Sequence, residues 1–368
     1  MSELGGRRAP ASRGVGDGAR GSAGCAVGSA DRAAGAAGGG FAPSALSFRS
    51  VLFDEVSSTN DEVKRAIDAG EAEGLVVRAL RQSGGYGRQG RVWASPEGGL
   101  YCSLLLRPQV TPAVLPTLSL VVGMAVRRAV AALVDAPTAG AVRIKWPNDV
   151  VVDRDILHDA RACAVGLDPA AQNHGHERFS DPNSAAFLQN TSSPVSASLK
   201  HRAQPRFCAR GDADGTSSDA FASFSKLCGI SCEAQGGGVC VGVGVNVAPP
   251  AERPDVGGKN EAAYVLDLAP EADFALGGAS RAIDRVFDEF LAAFASLYGR
   301  WQRDGFAPLL DEYNAWASLT DREVTIEGRD GSPIAAGAVV CVDACGRLVL
   351  RSRDGTEIPI ASGEAHVR

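Results

Sequence analysis

The sequence predicts an α+β fold that ends in a small β-barrel, and three observations carry that reading. Apolar runs of strand length, 75–79 and 100–106, flank a glycine-rich loop. Two stretches have helical periodicity. Residues 113–136 place Leu118, Val121, Val122, Ala125 and Val126 together, and residues 280–301 put Ile283, Val286, Phe287, Phe290, Leu291, Phe294, Leu297, Tyr298 and Trp301 on one face. The last fifty residues then change style, with short β-rich runs separated by Asp-Gly and Cys-Gly turns.

In chain order, structure is expected to begin near Phe48 with a strand over 50–56. A helix over 60–68 follows, with Ser58 or Thr59 as its N-cap. Strands flank the loop, the 113–136 helix comes next, and a strand over 141–152 is interrupted at Lys145-Trp146-Pro147-Asn148-Asp149. Pro147 cannot donate to a ladder there. Residues 154–222 are rich in Ala, Ser, Asp, Asn and Gln without a lasting period, and read as an exposed, largely disordered insertion. Strand character resumes at 227–232, turns at Gly236-Gly237-Gly238 and returns at 239–247 as a hairpin. The barrel runs are 323–326, 338–342, 348–350 and 357–360. The expected division is a tail at 1–46, a main domain at 47–318 and a terminal domain at 319–368.

Bulk properties exclude several classes. Thirty-seven basic against 43 acidic residues leave the 368-residue chain at −6, which argues against broad electrostatic binding to nucleic acid. Nine cysteines form no CxxC pair and read as reduced thiols of an intracellular protein. The longest apolar run, 113–126, is too short to span a bilayer and is followed by Arg127 and Arg128. Residues 1–46 are mainly Gly, Ala, Ser and Arg and lack a signal-peptide core. They read as a disordered tail, and the alternative is an organelle transit peptide. The expected compartment is therefore cytoplasmic, with an organelle as the alternative. His158, His174, His176 and His201 fall in the insertion with Cys163 and Cys208, but their irregular spacing does not make a metal site.

The chemistry centres on Gln82-Ser83-Gly84-Gly85-Tyr86-Gly87-Arg88-Gln89-Gly90-Arg91-Val92-Trp93. Glycines let backbone N–H groups approach a ligand, and arginines carry the permanent charge that suits phosphate. The spacing is not that of a P-loop, so alone it means only an anion-binding loop. It is preceded by Ser57-Ser58-Thr59-Asn60. After it come Lys145-Trp146-Pro147-Asn148-Asp149, Lys226-Leu227-Cys228-Gly229-Ile230 and Gly242-Val243-Gly244-Val245-Asn246-Val247. In this order the set closely resembles biotin protein ligases of the monofunctional type, across most of residues 50–368 apart from the insertion.

That resemblance implies a mixed sheet with helices packed on it, followed by an SH3-like C-terminal domain. It implies activation of biotin by MgATP to biotinyl-5′-AMP, then transfer to a lysine of a carboxylase's biotin carboxyl carrier domain. ATP, Mg2+ and biotin would be bound, and no further metal site is implied. Ser58, Thr59, Asn60 and Gln82 fall at the biotin ring, and Tyr86, Gly87 and Arg88 in the loop that closes over the adenylate. Tyr86 departs from the arginine common there. Lys226 falls on the lysine that contacts the biotin carboxyl and the phosphate. Arg88, Lys145 and Lys226 are the expected catalytic cations, because two anions brought together need fixed positive charge. Trp93, Asn148, Asp149, Gly229 and Asn246 complete the expected binding set. The expected partners are carrier domains, with no specific nucleic acid, no membrane, and a monomer or homodimer.

Three competing readings remain at this point. A lipoate ligase or octanoyl transferase shares the fold but is not expected to show the loop followed by the Lys-Trp-Pro-Asn-Asp segment. A ligase–repressor needs a winged helix that residues 1–46 cannot supply. A catalytically dead binding module is disfavoured by Arg88, Lys145 and Lys226 together.

Overall fold

The computed structural model describes residues 46–164, 224–251, 261–269 and 277–368. The N-terminal tail and most of the expected insertion lie outside them. Seven strands form one sheet: β1 (Arg49–Val56), β2 (Leu75–Gln82), β3 (Gly99–Leu106), β4 (Val142–Lys145), β5 (Asp149–Asp153), β6 (Phe224–Gln235) and β7 (Gly238–Asn246). Their order is β1-β2-β3-β7-β6-β5-β4. Only β1 and β2 run parallel. Helix α1 (Thr59–Asp68) makes the crossover that a parallel pair requires.

The edge strand β1 is exposed, but β3 in the middle of the sheet is covered on both faces, which explains why it reads as an unbroken apolar run rather than an alternation. Leu105 meets Val63 and Ile67 of α1 on one side. Leu104 and Leu106 face the larger core on the other, formed with α2 (Leu118–Ala131). Short helices follow at α3 (Ala136–Ala141), α4 (Arg154–Ala164) and α5 (Val265–Leu268). The long α6 (Gly278–Asp304) lays a ladder of stacked rings, Phe290, Phe294, Tyr298 and Trp301, against α2. Both polar atoms the ladder buries are satisfied, Trp301 Nε1 donating to Thr117 Oγ1 at 2.8 Å and the Tyr298 hydroxyl to Glu73 Oε1 at 2.5 Å. Helix α7 (Leu310–Trp316) leads to the terminal sheet.

That sheet has β8 (Glu323–Glu327), β9 (Pro333–Val342), β10 (Leu348–Arg351), β11 (Glu357–Ile360) and β12 (Glu364–Val367). They pair antiparallel in the order β11-β10-β9-β8-β12, consistent with the expected SH3-like domain. No helix among the described residues is long and apolar enough to cross a membrane.

Some expectations need correction. Residues Arg154–Ala164 form a helix where disorder was expected from 154 onward. Asp153 Oδ1 accepts from the N–H groups of Asp155 and Ile156, and Ile156 and Leu157 pack on the core. The helix runs for 11 residues, but its only large apolar side chains are Ile156 and Leu157 in the first turn, too few to stand out as a repeat. The 113–136 helix is shorter than expected, since Pro116 lies in a 3-10 turn at Leu115–Thr117. Ser58 does occupy the N-cap position of α1 in extended backbone, yet its side chain makes no cap bond. Strand β12 and the first half of β9 were not anticipated, because Ala335-Ala336-Gly337 shows no alternation.

Candidate active site

A cavity of about 330 Å³ opens on the α1 face of the sheet. Its floor is made by register: Ser103 pairs Gly242 and Ser231 pairs Gly242 from the other side, while Gly229 pairs Gly244. The glycines are there for space. A Cβ on Gly244 would stand 2.7 Å from Trp93 Nε1, one on Gly229 2.8 Å from Trp93 Cζ3, and one on Gly242 2.3 Å from Asn60 Oδ1.

A β-bulge brings Lys226 to this floor. Val150 pairs Cys228 but Val151 pairs Lys226, so Leu227 is the extra residue. In a regular strand Lys226 would point away from Gly229 and Ser231, since side chains alternate. The inserted residue switches parity, and all three line the cavity. Lys226 Nζ lies 3.0 Å from Asp149 Oδ2 and 5.3 Å from the Trp93 ring centroid.

The turn at 145–149 supplies the opposite wall. Lys145 and Asp149 are paired across the β4–β5 hairpin, leaving Trp146-Pro147-Asn148 as the connection. Asn148 is pinned to β6 twice, its Nδ2 donating to Ile230 O at 2.9 Å and its carbonyl accepting from Ile230 N. Its Oδ1 accepts from Arg88 Nη1 at 2.8 Å, tying the glycine-rich loop to this wall. Lys145 lines the cavity without a hydrogen bond or ion pair to a described residue. Burial pushes its ammonium pKa down, with Lys226 acting in the same direction and Asp149 and Glu364 against it. Burial lowers the Arg88 pKa as well. Two buried polar atoms here have no hydrogen-bond partner among the described residues, Asp149 Oδ1 and Trp93 Nε1.

At the other end a polar cluster is buried beneath α1. Gln82 Oε1 accepts from Thr59 N at 2.8 Å and from Thr59 Oγ1 at 3.1 Å, while Gln82 Nε2 donates to Ser95. Ser103 Oγ is 2.8 Å from Thr59 Oγ1 and 2.7 Å from Asn60 Oδ1, and Asn60 Nδ2 donates to Ser231. Such a cluster is oriented at every member and offers fixed donors and acceptors to a polar ring system.

The structure thus gathers Thr59, Asn60, Gln82, Tyr86, Gly87 and Arg88 around one cavity. Trp93, Lys145, Asn148, Asp149, Lys226 and Gly229 line it too. Ser58 and Asn246 do not line it. Ser58 is buried behind α1, and Asn246 Nδ2 donates to the Lys226 carbonyl from behind the wall. Sequence reasoning missed Ser103 and Ser231, each a lone serine in an apolar strand. It also missed Arg91 and Glu364, which pair with each other, Arg91 Nη1 lying 2.9 Å from Glu364 Oε1. Glu364 sits on β12, so the terminal domain contributes a wall, and Trp146 Nε1 donates to Gly346 O at 3.0 Å to fix it there. No group of three or more His, Cys, Asp and Glu suited to a metal occurs among the described residues. Within the expected insertion His158 is exposed on α4, and the other three histidines lie outside the described residues.

Residues 52–157 match the family model of the biotin/lipoate A/B protein ligase family. The biotin–[acetyl-CoA-carboxylase] ligase of Paracoccus denitrificans is 27% identical over 317 residues, 83% of this chain and 96% of that protein. The bifunctional ligase/repressor BirA of Bacillus spizizenii is 37% identical over 101 residues, so the chain spans only 30% of that relative's length. A biotin protein ligase from Aquifex aeolicus, solved with biotin and ATP, superposes with a TM-score of 0.57 at 21% identity. That alignment covers 87% of this chain and 98% of the other, and at this identity the likeness is one of fold. Over residues 52–157 this chain is therefore similar to the biotin/lipoate A/B protein ligase family, and over most of its length it shares the fold of a biotin protein ligase.

Proposed function

We propose that this protein is a biotin–[acetyl-CoA-carboxylase] ligase. The carrying observation is that Arg88, Lys145 and Lys226 converge on one cavity whose far end is the oriented Thr59–Gln82–Asn60 cluster. The cluster suits the biotin ring, whose ureido group donates and accepts, and the cations suit a carboxylate meeting a phosphate.

In this reading a biotin carboxylate oxygen attacks the α-phosphorus of ATP. The bond to the bridging oxygen breaks and pyrophosphate leaves with the electron pair. Lys226 and Arg88 offset the repulsion between the two anions and the charge that grows as they meet. Lys145, desolvated and without a hydrogen-bond partner among the described residues, adds a third cation whose interactions are strengthened by the low local dielectric. ATP would enter with Mg2+, which takes hard oxygen ligands, and the unpartnered Asp149 Oδ1 fits that requirement, with Asn148 beside it. In the second step the neutral amine of a carrier-domain lysine attacks the acyl carbon, and AMP departs. Trp93, seated over Gly229 and Gly244, is placed to cover the ligand against water.

The test is to incubate the protein with biotin, MgATP and a carrier domain and to weigh the acceptor. A gain of one biotinyl group that requires all three components supports the assignment, and labelling by lipoate instead of biotin overturns it in favour of a lipoate ligase. The soluble carrier domain of acetyl-CoA carboxylase is the acceptor proposed for the first assay.

A further inference from the structure

The glycine-rich loop is fastened at its front end by residues outside the cavity. Tyr86 and Val92 form a bridge, Gly87 N donates to Arg91 O at 2.8 Å and Trp93 N to Gly85 O at 2.9 Å, so the loop is itself a small hairpin. Arg88 and Arg91 tie the far side of that hairpin to Asn148 and Glu364, and its Tyr86 end is held by the Tyr86 hydroxyl. It donates to Asp61 Oδ1 at 2.7 Å and accepts from Lys64 Nζ at 3.0 Å, so both of its capacities are used. Lys64 is in turn fixed by Glu233 Oε2 at 2.6 Å. Asp61 and Lys64 stand on α1, next to the fully buried Val63, and Glu233 stands on β6. The attachment points are therefore two elements of the rigid core.

We propose that Asp61, Lys64 and Glu233 are positioning residues that hold the Tyr86 end of the loop against α1 before any ligand binds. Where the function proposed above holds, this anchoring retains the adenylate until an acceptor arrives. A loop already ordered loses less conformational entropy on closing, so less binding energy is spent on ordering it. The chemistry at position 86 follows from the anchor. A neutral phenol satisfies a carboxylate and an ammonium together, whereas an arginine would set a second cation beside Lys64. Burial works against the charge on Lys64, but the hydrogen bonds it donates to Glu233 and Tyr86 outweigh it and raise its pKa, so the ammonium persists throughout the working pH range.

Limited trypsin digestion of the ligand-free full chain tests the anchor, scoring cleavage after Arg88 and Arg91 by mass spectrometry. Tyr86→Phe and the double variant Asp61→Ala/Lys64→Met should each raise cleavage about tenfold, and the triple variant should add nothing further, because the three act as one unit. Equal cleavage in Tyr86→Phe and wild type overturns the proposal. Tyr86→Phe leaves α1 untouched and so decides the matter even where the double variant fails to fold. A second assay supplies biotin and MgATP and compares labelling of free amines with labelling of a carrier domain, and the ratio should rise in the double variant. Wild-type protein that labels neither would sink the ligase reading while the digestion still judges the anchor.

Discussion

Lys145 is the side chain on which the electrostatics of the cavity bear most directly. Its ammonium is desolvated and faces Lys226, so its pKa lies below the ordinary lysine value of about 10.4. A reaction that needs this charge must lose rate as pH rises through the lowered pKa. The account therefore expects kcat/KM for adenylate formation to fall on the alkaline side at a pH below that of an ordinary lysine. In Lys145→Arg, whose guanidinium stays charged, the fall should move upward. Identical alkaline limbs in the two proteins would assign the titration to another group. Most of the cavity's named side chains were legible as letters, since Arg88, Lys145, Asn148 and Lys226 sit in motifs. Their relations were not legible. Nothing in the sequence shows that Leu227 is a bulged residue, and without the bulge Lys226 would face away from Gly229 and Ser231.

Among the elements, the terminal strand β12 gives the clearest case of function acquired through packing. The Glu364 carboxylate is hydrogen-bonded by Arg91, which holds its pKa below the usual glutamate value, and it also faces Lys145 across the cavity. Through this pair the barrel touches the glycine-rich loop. Glu364→Gln removes the charge but keeps the size, so it should weaken loop placement and raise KM for ATP several-fold. The thermal midpoint should stay near wild type, because a pair exposed by 64% and 41% contributes well under 1 kcal/mol to stability. An unchanged KM would confine Glu364 to a surface contact. No local pattern pointed to Glu364. Strand β12 is four residues long, and its only signal is the final position in a sheet whose order is β11-β10-β9-β8-β12. The α6 face, by contrast, was plain in sequence because nine side chains repeat with helical spacing, and the same nine, apart from Leu291 with Ala282 in its place, are buried.

At the scale of the molecule, Asp153 at the end of β5 is paired with Phe224 at the start of β6. The chain leaves the sheet and re-enters it at adjacent positions, so a short connection suffices between them. Replacing residues 165–223 with a brief Gly-Ser linker after α4 should leave adenylate formation within about threefold of wild type, since loop-closure entropy changes slowly with length. Loss of soluble protein in that deletion would show that the segment contributes to the fold. The motifs could be read in order because most of them lie at strand ends or turns that register brings to one face. The helix at Arg154–Ala164 escaped because its two large apolar anchors, Ile156 and Leu157, are adjacent in the first turn and do not recur at helical spacing. The central claim, that fixed cations in this cavity drive attack of a carboxylate on ATP, is tested most directly by biotin-dependent exchange of labelled pyrophosphate into ATP, comparing wild type with Lys226→Ala. The account predicts exchange in wild type and a loss of at least about a hundredfold in the variant, the order found when a single charge-stabilising donor is removed from an active site. Lys226 contributes one partly exposed ion pair, so the variant should remain folded. Exchange at the wild-type rate in folded Lys226→Ala would contradict the account.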